Sequence, residues 1–256
     1  MGFSKKKNVS AIAIVLSISL FVIIFLLTRK TIFSDEDSSI IGNFIEWFGV
    51  LYGVLLALVV VEVWQKYSLL NNEIDREADA LVLLLKTIRF LDDKYKIKCI
   101  AQHIKEYANI ILQFKQTHAF DSSTASKKLD EIHKEVGDIL TSDKCPLPLS
   151  IQIMYHINDA IDTRGDWIAH AKDRMPKTLQ VLIFFTSIFW VLGFFGLNIK
   201  SLTLALMLCG AATFTVLSIL FIIIDLDDPK GGFWGAQFES FETLKIEAEN
   251  FVSDLN

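Results

Sequence analysis

The chain has 256 residues, of which 52% are hydrophobic and 21% charged, and a formal net charge of −5. A mean hydropathy of +0.42 excludes an ordinary soluble composition. The weak negative charge shows no nucleic-acid footprint, and Cys99, Cys145 and Cys209 stand apart without a Cys-x-x-Cys pair, which argues against a disulfide framework or a zinc site.

In chain order the first element is the apolar run Val9 to Thr28. Lys5, Lys6 and Lys7 precede it and Arg29-Lys30 follows where a small-residue cleavage site would stand, so it reads as a retained signal anchor. Further apolar runs are Phe44 to Trp64, Leu179 to Leu197 and Leu202 to Ile224. Each has the length a helix needs to cross a hydrocarbon core of ~30 Å at ~1.5 Å per residue. The spacing predicts an all-α, four-span helical membrane protein. Its parts are an N-terminal membrane hairpin over 1–65, a cytoplasmic helical domain over 66–176, a second membrane hairpin over 177–225 and a cytoplasmic tail over 226–256.

Orientation is read from basic residues near span ends. Placing both termini in the cytoplasm puts Lys5, Lys6, Lys7, Lys66, Arg76, Lys172, Arg174, Lys177 and Lys230 inside and only Arg29, Lys30 and Lys200 outside. The turn at Asn198-Ile199-Lys200-Ser201 is so short that the third and fourth spans form an antiparallel hairpin.

Nothing stops the second span at Trp64. From Glu46 to about Asp92 there is neither Pro nor a Gly beyond Gly53, so the second span is expected to run unbroken into the cytoplasm as a rod of roughly 60–70 Å in all. Apolar residues then recur at helical spacing: Leu70, Ile74, Leu81, Leu84, Leu85 and Ile88; Ile97, Ile100, Ile104, Tyr107, Ile111 and Phe114; Leu129, Ile132, Val136 and Leu140; Met154, Ile157, Ile161, Trp167 and Ile168. Asp121-Ser122-Ser123-Thr124 and Cys145-Pro146-Leu147-Pro148 mark the breaks, and Pro176 suits the first turn of the third span. Asp225-Leu226-Asp227-Asp228-Pro229 and Gly231-Gly232 stop the fourth, before an amphipathic tail with Phe238, Phe241, Leu244 and Phe251.

On the second span, Glu46, Gly49, Gly53, Ala57, Val60 and Trp64 share one face at 100° per residue. Gly49-x-x-x-Gly53-x-x-x-Ala57 is a small-residue seam, either for close helix packing or as a pore lining. Glu46 at its outer end is an interfacial carboxylate or a member of an acidic ring that would attract cations. Glu62 lies nearly opposite. It is either paired with Lys66 one turn on, the favourable order for an i,i+4 pair, or turned to a water-filled inner vestibule. Asp225, Asp227 and Asp228 oppose the dipole at a helix C-terminus and need compensation, from Arg164, Arg174 and Lys177 or from a bound cation. Asp162, Asp166 and His170 recur every fourth residue as a solvated or salt-bridged face. Trp47, Trp64, Trp190 and Trp234 read as anchors or packing. No enzyme motif and no Cys/His constellation is visible, so no catalytic residue and no metal ligand is assigned.

The run Phe48 to Trp64 leading into Glu77-Ala78 and Leu81, with Asp225-Leu226-Asp227-Asp228-Pro229 closing the last span, resembles a bacterial bestrophin-like membrane family over about residues 44–245. The resemblance implies pentameric ion channels with four spans, cytoplasmic termini and a helical cytoplasmic domain. It also implies an acidic calcium clasp just after the last span, where the three aspartates stand; Ca2+ is the one cofactor it suggests.

The expected function is a homo-oligomeric, bestrophin-like ion channel in a bacterial cytoplasmic membrane, not an enzyme. Its partners would be lipid, inorganic ions and further copies of the chain, with no nucleic acid. The alternative is a non-conducting interaction or signalling protein whose cytoplasmic helices dock a partner. A secondary transporter is a third reading, poorly served by four spans without broken helices.

Overall fold

The computed structural model describes residues 35–117, 122–141, 145–197, 199–229 and 233–254. The run Val9 to Thr28 with its flanking basic residues lies outside them, as do Asn198 and Lys230. Every regular element among the described residues is an α-helix. These are α1 (Asp35–Ile88), α2 (Lys94–Thr117), α3 (Ser122–Leu140), α4 (Leu147–Lys172), α5 (Lys177–Gly196), α6 (Leu202–Asp227) and α7 (Glu239–Asp254). Three of them, α1, α5 and α6, are long and apolar enough to cross a membrane.

α1 is a single helix of 54 residues. It ends at Ile88, one turn before the expected Asp92, because Asp93 caps the next helix: its Oδ1 accepts the Lys96 N–H at 3.2 Å. Pro146 and Pro176 stand as the N-cap residues of α4 and α5, where a missing N–H costs nothing.

The chain divides into two compact units. One comprises the residues up to Val61 with Pro176–Ile223; the other comprises Glu62–Met175 with Ile224–Asn256.

In the first unit α1 packs on α5 through paired glycines. A Cβ on Gly193 would come within 2.8 Å of Ile45, and one on Gly196 within 2.7 Å of Ile41. Gly49 faces the Trp190 indole, 2.9 Å from where its Cβ would stand. Close backbone approach of this kind replaces the hydrophobic drive that lipid removes. Tyr52 adds a polar tie. Ser187 Oγ donates to Ile183 O at 2.6 Å, so the Tyr52 hydroxyl donates to Ser187, also at 2.6 Å. α5 and α6 form the expected hairpin, with Phe195, Ala205 and Cys209 buried together.

The second unit is a helical bundle. Its core takes Leu70, Ile74, Leu81, Leu84, Leu85 and Ile88 from α1, Ile97 to Ile111 from α2, and Leu129, Ile132 and Val136 from α3. Phe238, just before α7, and Phe241, Leu244 and Phe251 of α7 complete it, so the C-terminal helix is a core element here. On α4 the expected face is corrected. Met154 is exposed, and the buried side runs through Ile153, Ile157, Ala160, Arg164, Trp167 and Ala171.

Candidate functional site

The Asp225-Leu226-Asp227-Asp228-Pro229 stop is built into a polar collar within the second unit. Asp227 Oδ1 accepts the Met175 N–H at 2.8 Å, on the residue before Pro176. Asp228 Oδ1 accepts from Arg174 Nη2 at 3.3 Å. Asp225 Oδ2 accepts the backbone N–H groups of Phe233 and Trp234 at 2.9 and 2.8 Å. The compensation that acids at a helix C-terminus require therefore comes from protein donors, Arg174 among them. Arg164, also expected here, lies elsewhere.

On α1 the collar continues. Lys66 Nζ stands 3.6 Å from Glu62 Oε1 and 3.1 Å from Asp173 Oδ2. Burial alone would lower the Lys66 ammonium, but Asp173 and Glu62 together hold it above its ordinary value. Two turns on along α1, His170 Nδ1 lies 2.6 Å from Glu73 Oε2. Val63, Lys66, Tyr67, Leu70, His170 and Asp173 line a cavity of about 20 Å³ with Arg174 and Leu226-Asp227, room for one water. Glu62 itself is exposed beside this collar.

The seam predicted on α1 divides in two. Gly49 turns to Trp190 of its own chain, whereas a Cβ on Gly53 would meet none of the described residues within 4 Å. Ala57 and Glu46 are exposed like Gly53. The side of α1 that packs within the chain runs instead through Tyr52, Leu56 and Val59.

A buried ionic cluster at the centre of the bundle escaped the sequence reading. Glu77 is 0% exposed and Arg164 3%. Glu77 Oε1 accepts from the Tyr107 hydroxyl and Oε2 from Trp167 Nε1, while Arg164 Nη1 donates to the Tyr107 oxygen at 2.6 Å. The guanidinium also lies 5.5 and 5.3 Å from the Tyr107 and Trp167 ring centroids. Burial pushes the Glu77 carboxyl up against the opposing pull of Arg164, Tyr107 and Trp167, and burial likewise holds the Tyr107 hydroxyl well above its usual range. The signal was present in the sequence: Glu77 sits three residues after Ile74 and four before Leu81, on the apolar stripe itself.

Glu77 and the Asp225–Pro229 stop thus each tie segments of one bundle together. The sequence profile of the Bestrophin-like domain matches residues 11–240. The chain belongs to the bestrophin-like family. Solved structures agree in fold. A variant of a bacterial bestrophin homologue from Klebsiella pneumoniae with a tyrosine-to-alanine change superposes with a TM-score of 0.76 at 12% identity, over 91% of this chain and 96% of that one. A tryptophan-to-alanine variant of the same homologue gives 0.72 at 12% identity, over 93% and 98%. A structure described as a membrane protein with a proline-to-alanine change gives 0.75 at 11%, over 91% and 95%. No curated protein matches the sequence at a significant level. This bestrophin-like chain is therefore an all-helical membrane protein, and at such low identity the structures speak for its fold alone.

Proposed function

We propose that this bestrophin-like protein is a homo-oligomeric ion channel of a bacterial cytoplasmic membrane, with α1 lining the pore. The observation that carries this reading is the uncovered stripe of Glu46, Gly53 and Ala57 on α1. Among the described residues the neighbouring side of the helix is packed and this one is bare. Small residues there suit either a narrow conduit or the approach of a second copy, and in a ring of α1 helices one stripe serves both.

In this arrangement residues 66–176 and 226–256 are cytoplasmic, as the basic residues flanking the apolar runs favour. Glu46 forms an outer acidic ring, and Glu62 with Lys66 lines the inner vestibule. Glu46 and Glu62 would both attract cations. The carboxylates of Asp225, Asp227 and Asp228 tie the bundle together rather than hold Ca2+, since each already accepts from protein donors.

The test is native mass measurement of the detergent-solubilised protein followed by ion flux in liposomes. A ring of copies that passes cations is the expected result. A strictly monomeric particle overturns the channel. A ring without flux for cations or anions would instead favour a membrane interaction protein.

A further inference from the structure

Cys99 and His103 lie one turn apart on α2, and Glu135 of α3 reaches the same point. Their donor atoms all lie within 4.8 Å of one another. All three residues are half-buried. A tetrahedral ion with bonds of ~2.0–2.3 Å needs its ligands about 3.3–3.8 Å apart. Closure of order 1 Å, well within side-chain rotation, would complete the set.

His103 supplies a second observation. Its Nδ1 is buried and has no hydrogen-bond partner, and the Glu131 carboxylate stands off at 3.6 Å. Leaving such a nitrogen unsatisfied costs free energy unless something engages the ring. Glu131 is held by Lys128 at 2.9 Å.

We infer that Cys99, His103 and Glu135 form a binding site for a transition-metal dication of the zinc class. Thiolate, imidazole and carboxylate together are a borderline-soft donor set, which suits Zn2+ or Co2+ and disfavours Mg2+ and Ca2+. On binding, the Cys99 thiol forms its sulfur–metal bond and releases one proton to solvent. The thiolate and the Glu135 carboxylate then balance the two charges of the ion. With Glu131 engaged by Lys128, the fourth position is left to water. The ion would clip α2 to α3 in the bundle. Sequence spacing concealed the site because its ligands are divided between two helices and pair a cysteine with a histidine four residues on. The inference is independent of whether the protein conducts ions.

The test uses the full chain in detergent, stripped of metal with a chelator and titrated with Co2+, then Zn2+. The expected result is one Co2+ per chain with a thiolate-to-cobalt charge-transfer band, displaced by Zn2+. Cys99→Ser removes the band, His103→Ala and the near-isosteric Glu135→Gln weaken Zn2+ binding at least ~10-fold, and Cys145→Ser changes neither. A wild-type cobalt complex without that band overturns the site whatever the variants do. So does Zn2+ affinity unmoved by His103→Ala and Glu135→Gln.

Discussion

Glu77 and Arg164 face each other across 3.8 Å at the centre of the helical bundle, with the Tyr107 hydroxyl hydrogen-bonded to both. Neither charge reaches water. Removing one partner of such a pair strands the other and costs about 3–5 kcal/mol, whereas replacing both with apolar residues is often neutral or stabilising. Arg164 is the more exposed to this penalty, since its Nε and Nη2 already lack hydrogen-bond partners. Glu77→Leu is therefore expected to lower the unfolding midpoint severely, and adding Arg164→Met to it to recover most of the loss. A double variant no more stable than the single one would show that the pair does more than neutralise itself.

The same carboxyl gives the bundle a pH dependence. Its folded-state pKa is raised above the ordinary 4.5, chiefly by burial. For a raised acid the stabilising contribution is complete below the unfolded value. It is lost as pH rises from there through the folded value, because the unfolded chain releases its proton first. The exposed acids Glu106 and Glu131, which Lys128 holds below the ordinary carboxylate value, slope the other way. The readout is thus the difference between wild type and Glu77→Gln, which mimics the protonated form. Relative to Glu77→Gln, the wild-type unfolding midpoint should fall as pH rises above about 4.5. A constant difference across pH would mean that Glu77 ionises as readily in the fold as in water.

At the collar, Asp227 accepts the Met175 N–H beside a proline that has none to offer. Hydrogen bonds to charged groups contribute about 1.5–3 kcal/mol. Asp227→Ala should cost about that much, and Asp227→Asn less, because an amide oxygen can still accept. Millimolar Ca2+ should leave the wild-type midpoint unchanged. If Ca2+ raised the midpoint and Asp227→Asn abolished the rise, the aspartates would be a cation site after all.

Two glycines about one helical turn apart in one motif are expected to behave differently. Gly49 abuts Trp190, so a leucine there must displace a packed indole, and the detergent-solubilised chain should lose stability. Gly53 faces open space among the described residues. Gly53→Leu should leave the unfolding midpoint of the chain nearly unchanged and alter particle size or flux instead. Equal loss of stability in both would place Gly53 in packing within the chain.

How much of this was legible in the sequence follows from what periodicity encodes. The α1 helix, the Ile97–Ile111 face and the short hairpin at Lys200 could be read directly, because apolar spacing and turn length are local properties. The Met154 face was misplaced because apolar residues on both sides of α4 offer two registers one residue apart. Arg174 stands 3.3 Å from Asp228 whereas Arg164 turns to Glu77, because nearness in sequence does not say which face a residue takes. Glu77 with Tyr107, and Cys99 with Glu135, join residues some thirty positions apart, and only the packing of α1 on α2 and of α2 on α3 brings them together.

Glu62 is where the fold and the proposed conduction path can be separated. Its carboxylate is one of two on Lys66, and the other, from Asp173, is the nearer at 3.1 Å. Glu62→Gln should therefore leave Lys66 anchored, and an exposed i,i+4 pair contributes only about 0.3–0.5 kcal/mol. Oligomer size and unfolding midpoint should stay at wild-type values. One negative charge per copy disappears, however, and in a ring of copies the lost field would be multiplied. The expected outcome is a lower cation-to-anion permeability ratio in liposome flux, more pronounced at low ionic strength, where screening is weaker. Unaltered flux at every salt concentration would remove Glu62 from the ion path and leave it as a partner of Lys66 alone.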